Sequence, residues 1–151
     1  MMVLAHTDGA SRGNPGDSGI GVVLRSADGQ DLASISGYIG MTTNNQAEYR
    51  ALLECLRAVE QLPCRHLTVH SDSELMVRQL NGQYKVRDAQ LKKSVQTVRE
   101  ILARAPFRFE IRHVVREENA EADALANEGI DLRRPVKVEW HDAARLQLNV
   151  K

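Results

Sequence analysis

Apolar and polar residues alternate through the first part of the chain and then change period. Val3 to Thr7 reads as a strand, Gly19 to Ser26 as a second and Asp31 to Ile39 as a third. The Asp-Gly pair in "ADGQ" supplies the turn between the last two. In "MTTNNQAEYRALLECLRAVEQLP" the spacing becomes helical. Leu52, Cys55, Leu56, Val59 and Leu62 recur on one face, Thr43, Asn44 and Asn45 offer caps, and Pro63 stops the helix. "HLTVHSD" is a short fourth strand. "SDSELMVRQLNG" opens a helix with a Ser71-x-x-Glu74 capping box and closes it at Gly82. Leu91 to Ala105 makes another helix, "FRFEIRHVV" a strand, and "ENAEADALANEGI" an Ala-rich helix ending near Gly129.

The order βββαβααβα predicts an α/β domain, in which an antiparallel meander grows through helix-linked strands into one mixed sheet with helices packed on it. Residues 1–130 are expected to form that domain and residues 131–151 a C-terminal tail. In the tail, "VKVEW" and "LQLNV" read either as an added edge strand or as a partly ordered extension. A length of 151 residues with 42% apolar and 26% charged residues fits one soluble globular domain. No apolar run approaches the roughly 20 residues of a membrane span, and the start lacks the pattern of a signal peptide. A cytoplasmic protein without a membrane partner is therefore expected. Cys55 and Cys64 are not spaced as a metal or disulfide framework, and Cys55 lies in an apolar helical stripe as a buried free thiol.

The net charge of zero argues against a strongly basic nucleic-acid binder, but the charges are segregated. Ser73 to Ala105 carries seven Lys/Arg against three acids, and Arg116 to Glu128 one base against five acids. That pattern permits a basic face for a polyanion and an acidic pocket for cations. It also describes two ordinary solvated helix faces.

Four acids sit at element ends. Asp8 ends the first strand, Glu48 lies in the first turn of the first long helix, Asp72 ends the fourth strand, and Asp123 lies in the first turn of the last helix. If the first and fourth strands are parallel neighbours, Asp8 and Asp72 emerge side by side, where open α/β sheets bind ligands. Glu48 shares the inward stripe of Leu52, Cys55 and Val59. Alone, each acid reads equally as a cap or a surface charge. Together, uncompensated, they would raise one another's pKa. Mg²⁺, a hard ion that takes oxygen ligands, resolves this, and two such ions can clamp the attacking and leaving oxygens of a phosphodiester.

"TDGASRGNPG", "TTNNQAEYRAL", "SDSELMVRQL" and "ENAEADALANE" resemble, in order and spacing, the four signature blocks of type 1 ribonuclease H. The resemblance covers residues 1 to 130. It implies a ribonuclease H-like mixed sheet of five strands in the order 3-2-1-4-5, with strand 2 antiparallel. It implies that Asp8, Glu48, Asp72 and Asp123 bind two Mg²⁺ ions, with Mn²⁺ as the alternative. Asp8 would bridge both ions, Asp123 would join it on one, and Glu48 and Asp72 would hold the other. It implies an endoribonuclease that hydrolyses the RNA strand of RNA–DNA hybrids, leaving 3′-hydroxyl and 5′-phosphate ends. A hybrid-binding module without cleavage and a phosphatase or exonuclease acting on small or single-stranded substrates are the competing readings. Crowded carboxylates gain a pure binding module nothing, and the Asn-Pro-Gly and Thr-Thr-Asn-Asn runs set the chain apart from exonucleases of the broader fold.

Gly9, Ser11 and Asn14 are expected to meet sugars and phosphates, with Gly9, Gly13 and Gly16 giving backbone freedom and minimal bulk. Thr43 is suited to hold a phosphate, and Asn44 and Asn45 to reach minor-groove edges; plain capping accounts for one of the three. The basic, Trp-containing protrusion of many bacterial members is missing from "NGQYKVRDAQL", where only Tyr84, Lys85 and Arg87 remain. Weaker, salt-sensitive binding is expected, and double-stranded RNA stays open as a second substrate. Many members carry a mobile histidine before the final helix. Here His113 shares parity with Phe107, Phe109 and Ile111 and is expected to face the core, so Arg116 is favoured as the cation beside the acids. His6 and His70 each precede a metal aspartate by two residues, and their rings should be close if their strands pair. They are expected to be buried and hydrogen-bonded, with orientation of Asp8 or Asp72 as the alternative. A monomer is expected.

Overall fold

The computed structural model describes residues 1–148. The meander comes first: β1 (Met2–Gly13), β2 (Gly16–Ser26) and β3 (Asp31–Thr42) pair antiparallel in sequence. Helix α1 (Asn44–Val59) leads to β4 (His66–Ser71), and α2 (Glu74–Leu80) and α3 (Ala89–Arg104) lead to β5 (Arg108–His113). A 3₁₀ turn, Arg116–Asn119, opens α4 (Ala120–Leu132), which is followed by β6 (Lys137–Trp140) and a short α5 (Asp142–Arg145). β1 pairs parallel with β4, and β4 with β5. The sheet order is β5-β4-β1-β2-β3-β6. The expected order 3-2-1-4-5 is present, and the five-stranded expectation gains a sixth strand.

That strand comes from the tail. Lys137–Trp140 pairs antiparallel with Ala33–Ser36 on the open edge of β3. Leu146–Leu148, the start of "LQLNV", forms a turn rather than a strand, and Asn149 and Val150 lie outside the described residues.

Helices cover both faces. Asp8 pairs with Gly21, and a Cβ on Gly21 would sit 2.1 Å from Ala122 O of α4. Directly opposed residues share a face, so Asp8 points to the α4 side. Gly9 points the other way, where a Cβ would come within 2.2 Å of the Ala47 backbone of α1. The core lies mainly between α1, α3 and the sheet, with Val3, Ile20, Leu24, Ile35, Leu52, Leu56 and Leu67 fully buried. Cys55 and Cys64 are buried free thiols, and burial pushes the Cys55 thiol up. Among the described residues no helix is long and apolar enough to cross a membrane.

Several boundaries differ from expectation. β1 does not end near Asp8; it runs on to Gly13, paired only with β2 once β4 stops at Ser71. Ser73, not Ser71, caps α2, accepting from Met76 N at 3.2 Å, because Ser71 is still in β4 and uses its Oγ to accept from Ser73 N. α4 passes through Gly129 to Leu132. Gly129 serves close packing instead of termination, since a Cβ there would lie 2.4 Å from Gly37 O.

Candidate active site

The end of β4 makes the site. Beyond Thr7, β1 has no parallel neighbour, so the Gly9 N–H is left without a ladder partner on that side. Glu48, in the second turn of α1, fills the gap, and its Oε1 accepts from Gly9 N at 2.7 Å. The bare Cα of Gly9 is what lets α1 come this close. Its lack of a side chain is thus used by the helix, not only by an incoming ligand. Asp72 follows β4 directly, beside Asp8. Ligand oxygens of Asp8, Glu48 and Asp72 all lie within 4.8 Å of one another. Asp123, in the first turn of α4, faces the same cleft from the other side of the sheet, outside the cluster of three. All four acids line one open cleft of about 430 Å³.

The electrostatics are strained. Asp8 and Glu48 are each 4% exposed. Burial, then the charges of Glu48 and Asp72, raise the Asp8 carboxyl far above the usual range. Burial and then Asp72 raise Glu48, against a smaller pull from the Gly9 amide. Asp72 Oδ1 is buried without a hydrogen-bond partner. Buried carboxylates normally find donors, so three that crowd together with an orphaned oxygen form a site built for a cation.

Of the expected contact residues, Gly9, Ser11, Asn44 and Arg116 line the same cleft, whereas Asn14, Thr43 and Asn45 do not. Thr43 is the cap of α1, its Oγ1 accepting from Gln46 N at 3.2 Å. Asn14 Oδ1 accepts from Asn44 N at 3.2 Å, tying the β1–β2 turn to that helix start. Ser11 Oγ is occupied internally, donating to Thr42 O at 2.9 Å. Arg116 is exposed, with Nη2 3.8 Å from Asp123 Oδ1.

His113 does not face the core. It is exposed at the end of β5, on the face of Ile111 but past the cover that the helices give that residue. His6 and His70 do meet, stacked with centroids 4.7 Å apart and planes 17° from parallel. His70 Nδ1 lies 3.1 Å from Ala5 O, and burial and then His70 lower the His6 pKa. Residues 81–88 join α2 to α3 without a protrusion, and Arg78 lies over the Tyr84 ring at 5.4 Å.

Sequence reasoning missed Arg12, Ser73 and Asn127, which also line the cleft. Two of them carried a signal. Asn127 follows Asp123 by four and so shares its helix face. Arg12 shares strand parity with Asp8.

Comparison with known proteins places this arrangement. The family model described as reverse transcriptase-like matches residues 6–129, the span that contains all four acids. A ribonuclease HI of Halobacterium salinarum is 43% identical over 129 residues, 85% of this chain; the chain spans 64% of that relative's length. A ribonuclease H of Bordetella bronchiseptica is 35% identical over 141 residues, covering 85% of this chain and 88% of the relative. Among solved structures, the ribonuclease H1 termed LC11, in complex with an RNA/DNA hybrid, superposes with a TM-score of 0.81 at 43% identity, over 86% of this chain and 97% of that one. On sequence and fold alike, this chain belongs to the type 1 ribonuclease H family.

Proposed function

We propose that the protein is an endoribonuclease that hydrolyses the RNA strand of RNA–DNA hybrids, leaving 3′-hydroxyl and 5′-phosphate ends. The observation that carries this reading is the carboxylate cluster at the end of β4, with its raised proton affinities and the orphaned Asp72 Oδ1. An all-oxygen donor set suits Mg²⁺, with Mn²⁺ as its substitute. Asp8, Glu48, Asp72 and Asp123 would hold two ions. When bound, the ions supply positive charge to the acids and to the attacking and leaving oxygens of the phosphodiester.

The chain's own residues orient the duplex. The cleft is open, so a backbone can approach the acids. Asn44 presents an exposed amide at the start of α1, and Asn14, bound through its Oδ1 to Asn44 N, keeps its Nδ2 free to donate. Asn45 is placed one residue on for a base edge. Thr43 caps the helix start that carries Asn44 and Asn45, and Ser11 ties the end of β1, just before Asn14, to Thr42. Arg116 offers an exposed guanidinium for a phosphate next to Asp123. The 2′-hydroxyl marks the cut strand, and its absence from the partner separates a hybrid from double-stranded RNA. The small contact surface between α2 and α3 predicts affinity that falls steeply with salt. The same reading takes residues 1–130 as the catalytic domain of a cytoplasmic monomer and residues 131–151 as its extension.

The test labels both strands of a hybrid and incubates it with Mg²⁺, beside double-stranded RNA and single strands. Cleavage confined to the RNA strand, lost in Asp72→Asn, is the expected result. Cutting of the DNA strand, or no cutting with either metal, would overturn the proposal.

A further inference from the structure

Asp123 stands apart from the other three acids. It lies outside the cluster of Asp8, Glu48 and Asp72, and its side chain is 31% exposed. Something must hold its rotamer if it is to act with them. On α4, Asp123, Asn127 and Asp131 recur every four residues and form one stripe. On β1, Arg12 lies four residues past Asp8, on the same face. Its guanidinium spans the two members of the stripe farther from the acid cluster, Asn127 and Asp131. Nη1 lies 2.6 Å from Asp131 Oδ1, and Nη2 donates to Asn127 Oδ1 at 3.3 Å. Asn127 Nδ2 in turn donates to Asp123 O at 3.0 Å and Oδ1 at 3.4 Å.

The direction of this chain is fixed by chemistry. A guanidinium has donors only, so Asn127 must turn its oxygen to Arg12 and its NH₂ to Asp123. Without Arg12 the amide is free to flip, which would set a carbonyl oxygen against a carboxylate. We infer that Arg12, anchored by Asp131 and acting through Asn127, is the positioning residue for Asp123, fixing that carboxylate for the weaker-bound of two divalent ions. This rests on reading the four acids as a metal centre. Loss of a partner that orients a metal ligand typically weakens binding on the order of 10–100-fold.

The experiment titrates the purified protein with Mn²⁺ alone, counting bound ions by electron paramagnetic resonance. Hybrid affinity is measured separately without divalent metal, across a range of salt. Arg12→Met keeps the side-chain stem and removes the fork. It should weaken the second Mn²⁺ step about 10-fold, leave the first within about 2-fold, and leave metal-free hybrid affinity within about 2-fold. Asp131→Asn, at the exposed far end, poses no threat to folding and should show the same pattern at smaller size. Arg12→Met combined with Asn127→Leu should be no worse than Asn127→Leu alone. Unchanged Mn²⁺ binding with weakened hybrid binding and a salt slope shallower by about 0.9 would make Arg12 a phosphate contact and overturn the inference. Additive effects in the double variant would also overturn it. A wild-type protein that binds no Mn²⁺ would instead strike the metal-centre reading beneath it.

Discussion

Glu48 and Tyr49 are neighbours on α1, both buried and both polar at the tip, and they mark two differently built regions. The Tyr49 hydroxyl donates to Gln79 Oε1 at 2.7 Å, inside a core where apolar side chains from α1, α3 and the sheet meet. The Glu48 carboxylate finds one backbone amide and otherwise faces other acids. At Tyr49 the buried polar group is satisfied and contributes stability. The acid cluster leaves such groups unsatisfied, and its residues fit a ligand better than they fit one another. Such a division separates residues that hold the fold from residues arranged to suit a cation.

Substitutions on the two sides should therefore act on different measurements. Glu48→Gln keeps an oxygen for the Gly9 amide but removes a charge from the cluster. Cleavage should fall roughly 10³-fold or more, about 4 kcal/mol, while thermal stability without metal stays level or rises. A large fall in metal-free stability would show that Glu48 belongs with the core. Leu52→Ala, one turn further along α1 and fully buried, should cost about 2–5 kcal/mol of stability. The divalent ion concentration giving half-maximal activity should stay the same at a permissive temperature. Tyr49→Phe leaves the Gln79 amide oxygen buried without its donor and should cost about 1–3 kcal/mol, read in chemical denaturation, again with no change in metal dependence. A shifted metal requirement in either core variant would erase the boundary between the regions.

The boundary was partly legible in the sequence. The acids, the helical stripe of α1 and the Thr43 cap depend on local spacing, and the meander follows from alternation and one Asp-Gly turn. What could not be read depends on contacts between distant segments. β1 outlasts Asp8 because β2 is long enough to keep pairing with it, a property of the partner strand. Ser71 and Ser73 look alike as caps until the last β4 pairing, Thr7 with Ser71, is known. Gly129 has the composition of a helix stop, and only the Gly37 backbone lying against it shows why α4 continues. His113 has core parity, but parity does not say where the covering helices end. Lys137–Trp140 is short and charged, and it becomes a strand by pairing with the free edge of β3.

The smallest expected effect is the most diagnostic, because its sign is opposite in the two regions. The folded protein raises the Asp8 and Glu48 pKa values above their ordinary 3.8 and 4.5. Between the ordinary and the raised values, the folded state binds more protons than the unfolded chain. Stability of the metal-free protein must then fall as pH rises from the ordinary carboxylate range up through neutrality. Asp8→Asn removes the most strongly perturbed group, so at pH 8 without divalent ions it should be more stable than the wild type. A gain on the order of 1–2 kcal/mol, about 2–8 °C in Tm at this size, is expected, shrinking toward zero near pH 4. Millimolar Mg²⁺ should narrow the gap by stabilising only the wild type, since a cation that binds the folded state alone shifts the unfolding equilibrium by mass action. No core substitution should show this crossover, because Tyr49, Gln79 and Leu52 carry no charge across that range. If Asp8→Asn were instead less stable than the wild type at pH 8 without metal, the carboxylates would be contributing to the fold as ordinary hydrogen-bonded acids, and the distinction between the acid cluster and the core would be lost.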